Sequence, residues 1–159
     1  MERDVMEYDV VVVGGGPSGL STAIKLAQMN KENGTDFSIC LLEKGSEIGA
    51  HILSGNVFQT TALDELIPNW KDLNAPVNVP VKKDKLLFLL KKVSIPIPAF
   101  ILPTMNNHGN YVLSLGNLCR WLGDQAENLG VEIFPGFPAS KIVYQDEKVV
   151  GVQTGDMGI

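Results

Sequence analysis

The sequence predicts an α/β fold built on a dinucleotide-binding βαβ unit, and three observations carry that expectation. A short β-branched run, residues 8–13, ends at a cluster of glycines. Among them Gly14, Gly16 and Gly19 fit G-x-G-x-x-G and open a helical pattern. A second apolar run, residues 37–42, ends at an acid, Glu43, 24 residues past Gly19. Strand, glycine turn, helix, strand and acid in that order are the signature of a Rossmann-like unit.

Taken in order, residues 8–13 read as a buried strand and residues 14–19 as the turn. The helix runs to about residue 30, with Leu20, Ala23, Ile24 and Ala27 on one face, and Asn33-Gly34-Thr35-Asp36 breaks it. Residues 44–58 read as a loop with three glycines, and residues 60–66 as a short helix before Pro68. Prolines are frequent between residues 75 and 113 and helical periodicity is absent, so short extended pieces are expected there. Leu118, Leu122, Ala126 and Leu129 mark a second helix, stopped by Gly130. Residues 131–134, 139–144 and 149–154 read as strands, the last two as a hairpin turned at 145–148. This pattern divides the chain into a βαβ unit with its following loop (1–74), an insertion (75–113) and a helix and strands that return to the first fold (114–159). No helix closes the fold after Thr154, so the sequence reads as the N-terminal part of a longer protein.

Composition bounds the function. At 159 residues, 45% of them apolar, the chain suits one packed domain. The net charge of −5 argues against nucleic acid as a partner, because phosphate binding needs a basic surface. Cys40 and Cys119 stand in unrelated contexts and give no metal-ligand spacing. Residues 1–9 carry four acids and one Arg, unlike a secretory signal or a transit peptide. The expectation is a bacterial, cytosol-facing chain, or one that has lost a presequence. No apolar run reaches the ~20 residues of a transmembrane helix. Lys82, Lys83, Lys85, Lys91 and Lys92, opposed only by Asp84, make one window of +4 in a chain whose remainder is −9.

Each glycine of the turn has a mechanical task. Gly14 permits the tight exit from the strand, Gly16 lets backbone approach a pyrophosphate, and Gly19 lets helix and strand pack closely. Pro17 and Ser18 begin the helix, whose N-terminus presents unpaired N–H groups to the phosphates. Glu43 is placed to accept hydrogen bonds from the ribose of the adenosine half. FAD and NAD share this turn. A motif that opens the chain favours FAD.

Two segments leave alternatives open. Gly49-Ala50-His51-Ile52-Leu53-Ser54-Gly55 could run along a cofactor toward its reactive ring, or be a surface loop with a solvated His51. Residues 86–90 and 95–102 are strongly apolar and flanked by lysines, with Pro96, Pro98 and Pro103 excluding a helix. They could form a buried hairpin. Equally, apolar insertion beside a basic flank is the two-signal logic of a monotopic anchor. His108 reads as a turn or surface residue.

The loop motif at 49–55, Ile95-Pro96-Ile97-Pro98 and Met105-Asn106-Asn107-His108-Gly109-Asn110-Tyr111 together resemble the electron-transfer flavoprotein–ubiquinone oxidoreductases. Residues 128–137 and 154–159 are similar to that family as well. The resemblance covers essentially the whole chain. It implies a Rossmann-like, glutathione-reductase-like FAD-binding domain with a β-rich, apolar membrane-contacting insertion. It implies FAD here and a [4Fe–4S] cluster in a later domain, whose cysteines Cys40 and Cys119 do not match. The implied partners are electron-transfer flavoprotein as donor, ubiquinone as acceptor and a membrane surface; the implied location is a bacterial inner membrane at its cytoplasmic face, or the mitochondrial inner membrane. Carried over by position, Gly14, Gly16, Pro17, Ser18, Gly19 and Glu43 contact the adenosine and pyrophosphate end of FAD. Gly49, His51, Ser54 and Gly55 lie toward the flavin, and Ile95, Ile97, Phe100, Ile101 and Leu102 border the quinone entry and the lipid. Relatives tend to carry a basic residue where Ser114 stands. The rival readings are an FAD-dependent prenyl-chain reductase and a non-catalytic nucleotide-binding fragment.

Overall fold

The computed structural model describes residues 4–53, 55–98, 101 and 105–155. Ser54, Phe100 and Leu102, named above as site residues, lie outside the described residues. The chain divides into two compact units, residues 1–54 with 115–159, and residues 55–114.

In the first unit the expected βαβ sequence folds as β1 (Val10–Val13), α1 (Pro17–Asn33) and β2 (Ile39–Glu43). β1 pairs in parallel with β2, and β2 with β8 (Glu132–Pro135), so the sheet order is β1-β2-β8. A central parallel strand is covered on both faces, which is why β2 is a continuous apolar run. Ile39, Cys40, Leu41 and Leu42 are all buried. α1 turns Leu20, Ala23, Ile24 and Ala27 inward, the four residues its periodicity selects. It runs to Asn33, past the expected end near 30. Asn30 fixes that end: its backbone carbonyl accepts the Gly34 and Thr35 N–H groups, while its side-chain amide donates to the Phe37 carbonyl at 2.8 Å. Asp9 clamps the same, amino-terminal end of the β1–β2 pair, accepting from both the N–H and the hydroxyl of Ser38 at 2.8 Å.

α3 (Leu115–Asn128) packs on α1 and buries Leu118, Cys119, Trp121, Leu122 and Ala126, together with Gly116 and Gly123. β9 (Ala139–Gln145) and β10 (Lys148–Thr154) form the expected antiparallel hairpin. Its two-residue turn holds Asp146 and Glu147 at φ 48° and 64°.

In the second unit β3 (Asn56–Phe58), β7 (Tyr111–Leu113) and β4 (Val79–Pro80) form a sheet in the order β3-β7-β4. β3 falls where the sequence reads as loop; a three-residue strand is too short to show an alternating pattern. α2 (Thr61–Leu66) is the expected short helix. Trp70 is buried behind it, donating Nε1–H to Asp64 at 2.7 Å and meeting Tyr111 edge to face at 6.2 Å. β5 (Leu86–Leu89) and β6 (Ser94–Ile97) form a separate two-stranded hairpin.

Candidate functional site

The glycine turn lies at the carboxyl end of β1, where an open parallel sheet presents its ligand crevice. Gly14 leaves the strand at φ +105°, a conformation that disfavours any side chain, and its N–H donates to the Leu42 carbonyl at 2.7 Å. A Cβ on Gly19 would collide with the Gly14 carbonyl oxygen and stand 3.4 Å from Val12. The third glycine therefore lets α1 sit against the strand that feeds it. A Cβ on Gly16 would meet nothing within 4 Å. Gly16 is the N-cap of α1, Pro17 follows at the first helical position, and no side chain caps the helix or adds an acid to its first turn. Free amides and open space at a helix N-terminus suit an anion.

Glu43 ends β2, half-buried, with its carboxylate fixed from two sides. Oε2 accepts the Gly15 N–H at 2.7 Å and Oε1 accepts the Gly45 N–H at 2.7 Å. Its backbone carbonyl accepts the Phe137 N–H at 2.9 Å. A carboxylate offers about four lone-pair sites, so two remain for further donors such as ribose hydroxyls. The glycine turn and the acid are thus one rigid piece, and Gly15 is the link. G-x-G-x-x-G treats Gly15 as a free position, yet a Cβ there would collide with Ile48 Cδ1 and stand 3.1 Å from Glu43 Oε2. The triple glycine was the only signal of this contact in the sequence.

The loop after Glu43 is held by packing. Gly49 has φ +85°, and a Cβ on it would come 2.6 Å from the Gly116 carbonyl oxygen at the start of α3. Ile48 is buried, close to both Gly15 and Gly123. Arg120 on α3 reaches Glu47 at 3.3 Å. His51 is exposed, and Gly55, at φ +88°, belongs to the second unit. Gly49 thus packs closely against the start of α3.

The apolar stretch is exposed on its hairpin. Ile95 is 49% accessible and Ile101 56%, and Ile97 is half-buried. A cavity of about 520 Å³ at the base of the hairpin is lined by Asp84, Lys85, Leu86, Pro96, Ile97 and Met105, among others. Asp84 accepts both the N–H and the side-chain amide of Asn107 at 3.0 Å, tying the polar loop to the lysine-rich segment. Among the described residues no helix is long and apolar enough to cross a membrane, and no group of His, Cys, Asp or Glu could hold a metal ion.

A glycine turn between parallel strand and helix, locked to an acid on the next strand, defines a Rossmann-like nucleotide-binding protein. The family described as NAD(P)-binding Rossmann-like domain matches residues 12–74. The chain is 57% identical over its whole length to a probable electron transfer flavoprotein-ubiquinone oxidoreductase from Acinetobacter baylyi, of which it covers 29%. It is 53% identical, over 99% of its length, to the mitochondrial electron transfer flavoprotein-ubiquinone oxidoreductase of Dictyostelium discoideum, of which it covers 26%. A geranylgeranyl bacteriochlorophyll reductase-like structure from Thermoplasma acidophilum superposes with TM-score 0.66 at 25% identity, over 92% of this chain and 34% of that one. By sequence the chain belongs with the N-terminal portion of the electron transfer flavoprotein-ubiquinone oxidoreductases. It spans less than a third of the length of those relatives.

Proposed function

We propose that this chain is the FAD-binding portion of an oxidoreductase that passes electrons from reduced electron-transfer flavoprotein to ubiquinone. The observation that carries the reading is Glu43, held by Gly15 and Gly45 beside a glycine turn left open at Gly16. Those residues fit FAD. Gly14, Gly16, Pro17, Ser18 and Gly19 receive the pyrophosphate at the helix N-terminus, and the free lone pairs of Glu43 accept the ribose hydroxyls. Residues 49–55, with Gly49, His51, Ser54 and Gly55, run toward the flavin. Bound flavin supplies one- and two-electron redox chemistry. The protein holds the adenosine end rigidly and needs no acid–base residue for electron relay. A [4Fe–4S] cluster belongs to a later part of the protein.

The domain reading drawn from the sequence is a βαβ unit with its loop to residue 74, an insertion to 113 and a return to the first fold; the compact units differ from it at the first boundary, because residues 55–74 belong to the second unit. Ile95, Ile97, Phe100, Ile101 and Leu102 border the quinone entry, and the protein works as a monotopic partner of a membrane. That membrane is the bacterial inner membrane at its cytoplasmic face, or the mitochondrial inner membrane. The likeness to the geranylgeranyl reductase-like structure favours one second reading, an FAD-dependent prenyl-chain reductase. The test is to purify the whole protein, record flavin absorbance, and mix it with reduced electron-transfer flavoprotein and a short-chain ubiquinone. Quinone-dependent reoxidation supports the reading. Reduction of a prenyl double bond without quinone turnover favours the reductase, and absence of flavin removes both.

A further inference from the structure

We propose that Arg120 binds the pyrophosphate of FAD, and that Glu47 holds its guanidinium beside the site until the cofactor takes the place of Glu47; this rests on the FAD reading above. One face of α3 meets the loop that follows Glu43. Gly116, Arg120 and Gly123 stand at i, i+4 and i+7, a single stripe of the helix. Each faces one residue of the loop. A Cβ on Gly49 would come 2.6 Å from the Gly116 carbonyl oxygen, a Cβ on Gly123 would stand 3.5 Å from Ile48 Cγ1, and Arg120 Nη2 lies 3.3 Å from Glu47 Oε1. The two glycines let loop and helix come together, and the arginine between them is the one long side chain of the stripe. Ile48 reaches on to the glycine turn, where its Cδ1 occupies the space a Cβ on Gly15 would need. The loop residue that holds Arg120 is thus the immediate neighbour of the one that touches the phosphate-binding turn.

Charge points the same way. A pyrophosphate brings negative charge to the N-terminus of α1, which offers amides and a partial positive charge. The turn adds no cation, since residues 10–24 contain neither Lys nor Arg. Of the described cations in the first unit, Lys25 and Lys31 lie further along α1, and Lys141 and Lys148 on the β9–β10 hairpin. Lys44 directly follows the acid that takes the ribose. Arg120 is the cation tied to the loop beside Gly15. A guanidinium has five N–H donors in a fixed fork. Nη1 donates to Asn117 Oδ1 at 2.7 Å and Nη2 to Glu47 Oε1 at 3.3 Å, so donors remain for phosphate oxygens, which the fork suits. The Arg120 and Glu47 side chains are 45% and 60% exposed, and an ion pair so open is weak and easily exchanged. Asn117, three residues earlier on α3, keeps the guanidinium oriented through the exchange.

The experiment titrates FAD into the whole protein after its flavin has been removed, by calorimetry at low and high salt, with an unfolding midpoint for each variant. Arg120→Gln should weaken FAD binding about tenfold or more, the effect of losing a charge-assisted hydrogen bond. Its affinity should also fall less steeply with salt than that of the unaltered protein. Glu47→Gln releases the guanidinium and should tighten FAD binding about two- to fivefold. If Arg120 served only to pin the loop to α3, Glu47→Gln would weaken FAD binding as Arg120→Gln does. Unchanged or weaker binding in Glu47→Gln, or unaltered binding in Arg120→Gln, overturns the role of Arg120 and leaves the FAD reading standing. Should Arg120→Gln fail to fold, the sign of the Glu47→Gln effect decides alone. No uptake of FAD by the unaltered protein overturns both.

Discussion

At the scale of single residues, the site depends on side chains that are missing. Gly15 and Gly19 are held to glycine by what surrounds them: Ile48 and Glu43 in one case, the Gly14 carbonyl in the other. The two obstacles differ in kind. Ile48 Cδ1 is the end of a side chain and can move, whereas the Gly14 carbonyl is backbone and cannot move without parting β1 from α1. Gly15→Ala should therefore fold and lose about tenfold in FAD affinity, consistent with an overpacking cost of about 1–3 kcal/mol. Adding Ile48→Ala should return part of that affinity, because it removes the steric clash but leaves the close approach to Glu43. Gly19→Ala should lower stability by more, at or above the upper end of that range, with no rescue from Ile48→Ala. Isothermal titration with FAD and chemical denaturation, run on all four variants, separate these outcomes. Equal rescue of both glycine variants by Ile48→Ala would remove the distinction.

Two elements carry strain or charge that can be read directly. The β9–β10 turn puts Asp146 and Glu147 at positive φ, where Asn-Gly or Asp-Gly is the favoured pair. A non-glycine residue there is disfavoured by roughly 1–2 kcal/mol, partly offset in a glycine variant by a more flexible unfolded chain. Glu147→Gly should raise stability by about 0.5–1 kcal/mol in urea denaturation; a loss would mean the side chain makes a contact the turn geometry does not require. At the β1–β2 end, the Ser38 N–H, and then its hydroxyl, hold the Asp9 carboxyl below the usual carboxylate range. A lowered folded pKa means stability that is present above the unfolded pKa of about 3.9 and is lost as pH falls through the folded value. Asp9→Asn should lower the neutral plateau of the stability profile and flatten its acid limb, measured as urea midpoints against pH. These elements also mark how far sequence could reach. α1, β2 and α3 were legible because burial imposes their patterns, whereas β1 was legible from its β-branched run ending at glycines and is not the buried strand expected: Val11 and Val13 are exposed and Val10 and Val12 only half-buried. The placement of Gly14, Gly19 and Glu43 followed from the same pattern. The Gly15–Glu43 bond joins residues far apart in sequence, β3 is too short for a pattern, and the contact of Gly49 with Gly116 depends on where α3 begins.

Across the whole molecule, the two thiols report on global opening. Cys40 lies on β2 three residues before Glu43, and Cys119 lies on α3; both are essentially inaccessible, at 2% and 0%. Burial, and then the Glu43 charge, push the Cys119 thiol up to about 11. The thiolate is the reactive form, so neither cysteine should react while the first unit is closed. A ligand that binds only the folded state suppresses opening by the factor 1 + [L]/Kd. If Glu43 and the glycine turn hold the adenosine end of FAD, then FAD at about 100 times its Kd should slow labelling of both cysteines about 100-fold. Glu43→Gln should reduce that protection by weakening FAD binding, because a neutral amide is a poorer acceptor for the ribose hydroxyls. The measurement is mass-resolved alkylation of Cys40 and Cys119 at increasing FAD. Labelling indifferent to FAD in the flavin-free protein would remove the dinucleotide from this site. Protection of Cys119 alone would mean that α3 is stabilised without β2, and so that the ligand sits away from the acid.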